Sequence, residues 1–355
     1  MSHLRANRGG VPRTAAAPAV CAGLLGLVVA AVSAQAGPTP GFSLSIDFMA
    51  VDGRGNPITD LRADEIQVKL ERQTAGIREL RLVPAASDHG STAQRSKTGP
   101  FGSLEAANFE RSFLIAVDDE SLPQGSEQST RDALRNFINR LDPRDRIGIA
   151  VIPHGDVRVL PTTDHGRVLP LIARVSGRAS GREVAADAAC RTQRVLRELN
   201  TLLGAAQNSS GPVILVLFSG SMYDGAVQQP LGTSMACDVQ LDEFRQVGLQ
   251  ASRSRTYVYI VQPETFGRLQ WTSSPRSGLE QLAGATGGRI LDLSGREVDV
   301  LDQVRRETSA LYVAHISLKD QPRSPQTLSV RTSRPDVIIV ARPKASVPAG
   351  RSTRR

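Results

Sequence analysis

A run of acidic and hydroxyl side chains follows a short apolar segment of the sequence. Asp118, Asp119, Glu120 and Ser121 come directly after residues 113–117, which are all apolar. Carboxylate and hydroxyl oxygens are the ligands that hard cations such as Mg²⁺ and Ca²⁺ prefer. The same acids could instead precede a helix, because a helix dipole favours negative charge at its start.

A second polar run follows residues 213–218, the most hydrophobic segment of the chain. It contains Ser219, Ser221, Tyr223 and Asp224. If both apolar segments are parallel strands, their carboxyl ends share one edge of a sheet, and the loops 118–126 and 219–236 form one surface. A tyrosine supplies amphipathic contact area and the acids supply selectivity for a protein partner. We therefore predict a protein-binding surface at these two loops.

Histidine chemistry is an alternative interpretation. His154 and His165 each lie near an aspartate, an arrangement that a hydrolase could use. However, the chain lacks the Gly-x-Ser-x-Gly elbow that presents a catalytic serine. We therefore expect a non-catalytic protein and keep two alternatives, an envelope hydrolase using His154 or His165 and a structural component of an envelope assembly.

The residues from 111 to 310 predict the element that positions these side chains. Short apolar runs at 113–117, 147–152, 213–218 and 257–261 alternate with stretches of helical periodicity. This alternation is typical of a parallel sheet buried on both faces. We predict an α/β fold with a doubly wound, mostly parallel, Rossmann-type sheet.

The flanking segments show strand periodicity instead. Apolar and polar residues alternate within residues 37–84 and again within residues 311–341. We expect these segments to pack together as a small β-sandwich interrupted by the α/β domain. Residues 85–110 lack periodicity and are interpreted as a linker, and residues 342–355 as a basic disordered tail.

The first 36 residues have the features of a signal peptide. An arginine-bearing segment precedes an apolar run at 19–32, and Ala34-Gln35-Ala36 forms a small-x-small cleavage site. The run is shorter than the ~20 residues that span a bilayer. The alternative is a leader that is not cleaved and serves as a membrane anchor. We predict a bacterial protein exported to the periplasm or beyond, without an integral membrane span after cleavage.

The charge distribution argues against nucleic-acid binding. The net charge is +8, but three arginines before residue 37 and five basic residues after residue 341 account for all of it. The aromatic content of 4% also leaves few side chains for base stacking. The basic tail could still touch an anionic surface.

The cysteines predict one disulfide. Cleavage of the leader would remove Cys21 and leave Cys190 and Cys237 in a compartment where disulfides persist. Two unpaired buried thiols are the alternative.

These segments together resemble the von Willebrand factor type A (VWA) domain, specifically the secreted bacterial VWFA-related group. The similar motifs are Asp-Gly-Arg-Gly-Asn-Pro-Ile at 52–58, the strand at 113–118, Leu-Asp-Pro-Arg-Asp-Arg at 141–146, Leu-Ala-Gly-Ala-Thr-Gly-Gly at 282–288, the strand at 311–313 and the ending at 334–342. They are spread over nearly all of the mature chain. The resemblance implies an open twisted sheet with a ligand site at the carboxyl ends of its central strands.

The resemblance also implies a cation site, which this sequence has only in part. The family's metal-ion-dependent adhesion site uses Asp-x-Ser-x-Ser, a threonine and a further aspartate. With Asp118 as the first ligand, Glu120 and Leu122 replace the serines and Gly220 replaces the later aspartate. We therefore expect a degenerate site and no cofactor. An improvised Mg²⁺ or Ca²⁺ site is the alternative, and its candidate ligands are Asp118, Glu120 and Ser121, with Thr163 or Thr192 as the threonine.

Overall fold

The structure is a computed structural model that describes residues 42–86, 108–179, 183–209, 211–225, 237–263, 277–293, 297–318 and 326–345, without the side chains of 297–299. The predicted signal peptide, residues 87–107 of the predicted linker, residues 226–236 of the second loop and the last ten residues lie outside the described residues.

Thirteen strands and five α-helices occur in the described part. In chain order the strands are β1 (Phe42–Val51), β2 (Ile66–Leu70), β3 (Gln73–Pro84), β4 (Ser112–Asp118), β5 (Arg146–Ile152), β6 (Arg158–Thr162), β7 (Val213–Phe218), β8 (Thr256–Gln262), β9 (Arg289–Asp292), β10 (Ala310–Leu318), β11 (Gln326–Thr332), β12 (Ile338–Ala341) and β13 (Lys344–Ala345). The α-helices are α1 (Glu127–Asn139), α2 (Ala185–Ala205), α3 (Leu241–Arg253), α4 (Ser277–Thr286) and α5 (Glu297–Glu307). Short 3₁₀ helices lie at Ala63–Glu65, His165–Arg167, Leu169–Arg174 and Ala206–Asn208.

A six-stranded sheet carries the two predicted loops. Its order is β6-β5-β4-β7-β8-β9, and all neighbours are parallel except β6, which pairs antiparallel with β5. Core residues of α1 and α5 cover one face, and those of α2, α3 and α4 cover the other. Every residue of β4, β7 and β8 is therefore buried. The predicted α/β, doubly wound fold class is confirmed.

Helix α2 shows why the sequence forms these layers. Ala188, Val195, Leu199 and Leu203 recur at spacings of seven and four residues and are all buried. This spacing places them on one face of a helix, which packs against the sheet. Arg191 and Thr192 belong to the same buried face, so α2 also carries two polar side chains into the interior.

The flanking segments form one curled antiparallel sheet of seven strands, ordered β12-β1-β10-β3-β2-β11-β13. Strand β10 lies between β1 and β3, so the C-terminal strands complete the N-terminal ones. Phe48 and Tyr312 stack within the core of this sheet. Met49 and Val313 belong instead to the core that includes α1 and α5, so the opposite face of the sheet packs on the α/β part.

Two predicted boundaries need correction. Ala85 bridges Phe109, whose side chain is 1% exposed, so ordered structure extends into both ends of the predicted linker. Lys344 and Ala345 pair with β11, and Arg342 forms an ion pair with Asp47. The start of the predicted disordered tail is therefore ordered through Ala345, because backbone pairing and a buried carboxylate hold it.

Among the described helices, none combines the length and the apolar character needed to cross a bilayer.

Candidate functional site

The two predicted loops meet where β4 and β7 end. The chain leaves β4 toward α1 on one face of the sheet and leaves β7 toward α3 on the other. Such a point of reversal opens a crevice at the carboxyl ends of the strands, where ligands of this fold class bind. The sheet therefore positions residues 118–121 and 219–224 as the sequence predicts.

Hydrogen bonds fasten the two loops to each other. The Ser219 hydroxyl donates to Asp118 Oδ2 at 2.8 Å, and the Gly220 amide donates to Ser121 Oγ at 2.9 Å. Ser121 Oγ also donates to the Asp118 carbonyl oxygen at 3.0 Å and lies 3.4 Å from Ser219 Oγ. These hydroxyls are thus engaged in holding the loops together.

Gly220 allows the loops to approach this closely. A Cβ at this position would lie 2.7 Å from the Ser121 carbonyl oxygen, which is closer than real Cβ atoms come to an oxygen. An aspartate could not replace Gly220 unless one loop moved. The backbone at Gly220 therefore leaves no room for the aspartate that the family resemblance implies at this position.

The main cation of the site is Arg191 on α2, a residue that the sequence patterns did not identify. Its side chain is 2% exposed, and its Nη1 lies 3.3 Å from Asp118 Oδ2 and donates to the Ser221 carbonyl oxygen at 2.8 Å. Nε and Nη2 donate to the two carboxylate oxygens of Glu183 at 2.8 and 3.0 Å. The guanidinium thus joins both loops to the segment that precedes α2.

A recognisable signal in the sequence could have identified Arg191. It lies three residues after Ala188 and four before Val195, at an interior position of the apolar stripe. An arginine on a buried helix face needs partners, because burying an unpaired charge is costly. Glu183 and Asp118 are those partners.

Burial dominates the electrostatics of Asp118. Its side chain is 0% exposed, and this burial raises its pKa from 3.8 to about 6, although Arg191 and the Ser219 hydroxyl act in the opposite direction. No hydrogen-bond donor in the described part of the chain reaches Asp118 Oδ1. Burial alone would lower the pKa of Arg191, but the charges of Asp118 and Glu183 raise it overall. Both groups are charged at neutral pH.

An outer layer of ion pairs surrounds this buried pair. Arg178 Nε lies 2.8 Å from Asp119 Oδ2, and Arg194 Nη2 lies 2.6 Å from Glu120 Oε2. His154 lies between the acids, with Nδ1 3.3 Å from Asp119 Oδ1 and Nε2 3.6 Å from Glu120 Oε1. Burial raises the pKa of Asp119, against the influence of His154 and Arg178. The side chains of His154, Arg178 and Arg194 are 37 to 46% exposed, so this rim faces solvent.

Most of the predicted contact residues are interior. Asp118, Asp119, Ser121, Ser219, Ser221 and Tyr223 are each at most 9% exposed. The Tyr223 amide donates to Thr192 Oγ1 at 2.9 Å, which anchors the second loop to α2. Glu120 and Asp224 are partly exposed. A partner could therefore contact Glu120 and Asp224 directly, whereas the buried residues shape the loops.

The predicted Cys190–Cys237 disulfide is present, with the two Cα atoms 5.0 Å apart. It joins α2, at the residue next to Arg191, to the segment before α3. The disulfide therefore fixes the helix that carries the buried guanidinium.

Thr163, a candidate metal ligand, and His165, a candidate hydrolase histidine, lie at the end of the sheet opposite to Asp118. Thr162 pairs with Ile147 near the start of β5, whereas Asp118 pairs with Ile152 at its end. Thr163 therefore cannot join Asp118 as a ligand, which corrects that assignment. His165 lies near Thr163, and its Nε2 is 2.7 Å from the Asp145 carbonyl oxygen.

Within the described residues, His154 and His165 are not placed beside a hydroxyl nucleophile. Both ring nitrogens of His154 face carboxylates, and the described contacts of His165 include no hydroxyl nucleophile. The Ser121 hydroxyl accepts a hydrogen bond from the Gly220 amide, and the Ser219 hydroxyl donates to Asp118, so both are engaged between the loops. The geometry therefore does not support the alternative of a hydrolase that uses His154 or His165.

The residues at Asp118 do not fit a divalent cation either. Arg191 already approaches Asp118 Oδ2, Glu120 turns toward Arg194, and Leu122 is a buried core residue. No group of three His, Cys, Asp or Glu side chains in the described residues is arranged to hold a metal ion.

No protein-family model matches this chain, and no curated protein matches it in sequence. Among solved structures, it is similar to the SpRpn10 VWA domain, with 12% identity, 56% of this chain and 95% of that chain covered, and a TM-score of 0.33. It is also similar to the vWF domain of the type V pili tip protein Mfa5 from Porphyromonas gingivalis, with 8% identity, coverage of 55% and 93%, and a TM-score of 0.36. The pilus adhesin RrgA from Streptococcus pneumoniae matches with 8% identity, coverage of 85% and 70%, and a TM-score of 0.34.

Proposed function

We propose that this chain is an exported, non-catalytic VWA-like protein of the secreted VWFA-related group, which binds a protein partner through the loops after β4 and β7. In this proposal the metal-ion-dependent adhesion site is degenerate. The main support is the position of both loops at the point where the strand order of the sheet reverses. Hydrogen bonds of Asp118, Ser121 and Ser219 fasten the two loops to each other there. A crevice at this place is where α/β sheets bind ligands.

The interior of the site supports a binding role over a catalytic one. A catalytic acid, base or nucleophile must reach the reacting atoms. Here the hydroxyls of Ser121 and Ser219 are buried and occupied by loop-to-loop hydrogen bonds. These groups stabilise the shape of the surface and leave contact with the partner to the rim.

The rim favours a partner that carries both signs of charge. Glu120, His154 and Arg194 lie beside one another, and Arg178 pairs with Asp156 at 3.1 Å. Complementary charges at an interface mainly increase specificity and the association rate. Salt screens exposed charges, so we expect association to slow as ionic strength rises.

Site-specific crosslinking tests this proposal. A photo-reactive amino acid is placed at Glu120 or Asp224 in the full chain, expressed in its own cells, and the same residue is placed at Glu280 on α4 as an exposed control. We expect one partner band that depends on positions 120 and 224 and not on 280. Equal crosslinking from all three positions, or none from 120 and 224, would contradict binding through these loops.

An open groove favours a second candidate function, a structural component that assembles through the antiparallel sheet. The groove measures about 670 Å³ and is lined by residues of the 3₁₀ helix at Ala63–Glu65 and of β2, β3 and β11, among them Gln67, Thr74 and Ile77. The same photo-reactive group at Gln67 tests this candidate. A product from position 67 without one from 120 or 224 would favour sheet-mediated assembly.

A further inference from the structure

We propose that the Arg191 guanidinium replaces the divalent cation of this site, so that the two loops are assembled without any metal. The inference builds on the proposed function, because it concerns how the binding surface is held. The test of this inference measures the protein without a partner. The inference can therefore fail while partner binding through the loops still holds.

The contacts of Arg191 are of the kind that a cation would make. A carboxylate, a backbone carbonyl and a second carboxylate surround it, from Asp118, Ser221 and Glu183. Ser221 Oγ adds a further contact at 3.3 Å. Such oxygens are also the ligands of hard divalent cations. Here all of them face one guanidinium.

These contacts connect three separate segments. Asp118 ends β4, Ser221 follows β7, and Glu183 precedes α2. A bound metal ion would connect loops by coordination, and the planar guanidinium connects them by directed hydrogen bonds. Because Arg191 is 2% exposed, this connection is shielded from solvent and from salt.

The absence of metal ligands at positions 122 and 220 and the presence of Arg191 support the same conclusion. Leu122 belongs to the hydrophobic core, and Gly220 has no space for a side chain. A divalent cation at Asp118 would lie close to a guanidinium 3.3 Å from the same oxygen. Like charges at such separation repel strongly in a buried site. The chain thus gains its own positive charge where it loses the means to bind an external one.

The functional consequence is a surface that is permanently assembled. A site that needs a metal responds to chelators and to the cation supply. A site held by a side chain responds to neither, so partner binding should change by less than about twofold between EDTA and millimolar Mg²⁺.

Thermal unfolding with and without metal is the first test. The purified full chain without its leader is unfolded in EDTA and in millimolar Mg²⁺, Ca²⁺ or Mn²⁺. A ligand that binds the native state raises Tm. We expect Tm to change by less than about 1 °C with each cation, whereas a rise of several degrees that Asp118→Asn abolishes would overturn the proposal.

Substitution at Arg191 tests the role of the charge. Arg191→Met keeps the aliphatic part of the side chain and removes the charge. Arg191→Lys keeps the charge but lacks the planar guanidinium that donates several directed hydrogen bonds. Arg197→Met, on the exposed face of α2, is the matched control. We expect Tm to fall by about 5 to 15 °C in Arg191→Met, less in Arg191→Lys, and by no more than about 2 °C in the control. Equal Tm values for Arg191→Met and wild type would overturn the proposal.

Chemical rescue separates the charge from simple packing. In Arg191→Ala, millimolar methylguanidinium should recover part of the lost Tm, whereas methylammonium at the same concentration should not. Equal effects of the two cations would contradict a site shaped for a guanidinium. If Arg191→Ala does not fold, Arg191→Lys against Arg191→Met and the metal titration of the wild type still decide the question.

Discussion

Replacement of Asp118 by asparagine should stabilise the protein at neutral pH. Asp118 is fully buried, and its pKa is raised from 3.8 to about 6 chiefly by burial. Asparagine has nearly the same shape, can accept the Ser219 hydrogen bond, and carries no charge. Arg191 keeps both oxygens of Glu183 as partners.

The sign and size of this effect follow from linkage. The folded state binds the Asp118 proton more tightly than the unfolded state, so this group stabilises the fold fully below pH 3.8 and loses that contribution as pH rises through about 6. At about 1.4 kcal/mol for each pKa unit, the loss is about 3 kcal/mol. Asp118→Asn should therefore match the wild type near pH 4 and exceed its free energy of unfolding by up to about 3 kcal/mol at pH 8.

Urea unfolding at a series of pH values from 4 to 8 measures this difference. Asp132→Asn, at an exposed position on α1, is the control for removing a carboxylate outside the site. An Asp118→Asn variant that is less stable than the wild type at pH 8 would contradict this expectation. It would mean that the bond to Arg191 outweighs the burial of the charge.

Three further substitutions test other parts of the fold. Replacing both Cys190 and Cys237 by alanine should lower the free energy of unfolding by up to about 4 kcal/mol, since the bridge closes a loop with a sequence separation of 47; a loss under about 1 kcal/mol in urea unfolding would contradict this. Arg255→Gly should raise stability by up to about 1 kcal/mol, because φ is +53° and the guanidinium donates no hydrogen bond within the described structure and pairs with Asp47 at the long distance of 3.9 Å; a lower Tm would show that the pair with Asp47 stabilises the fold. Gly248→Ala should lower stability by about 1 to 3 kcal/mol, because its Cβ would lie 2.0 Å from a backbone oxygen of α4. Gly204→Ala has only an ordinary contact at 3.5 Å, so its Tm should not fall, and equal losses in the two glycine variants would contradict the packing argument.

The central sheet could be predicted from the sequence because its strands are buried on both faces. Such strands appear as continuous apolar runs, and residues 213–218 are the clearest case. The meeting of the two loops followed from the same prediction, since the carboxyl ends of parallel strands share an edge. The order of the seven strands in the antiparallel sheet was harder to predict from the sequence. Strand β1 pairs with β10 across about 270 residues, as Ser45 does with His315.

The interior of the site was harder to predict. Alternation and spacing show that Asp118 ends a strand, but they do not show that its carboxylate is turned inward to Ser219 and Arg191. The helical periodicity of α2 was recognised from its apolar residues alone. It therefore did not show that Arg191 lies on the same buried face. A charged residue at an interior helix position is thus a useful signal for a buried ion pair.

A crystal structure of the chain without its predicted leader, grown with millimolar Mn²⁺, decides whether Arg191 takes the place of a metal ion. Anomalous scattering at the manganese edge locates the ion. We expect no manganese peak at Asp118 and a guanidinium that contacts Asp118, Ser221 and Glu183. A manganese ion bound to Asp118, with Arg191 turned away, would contradict this inference.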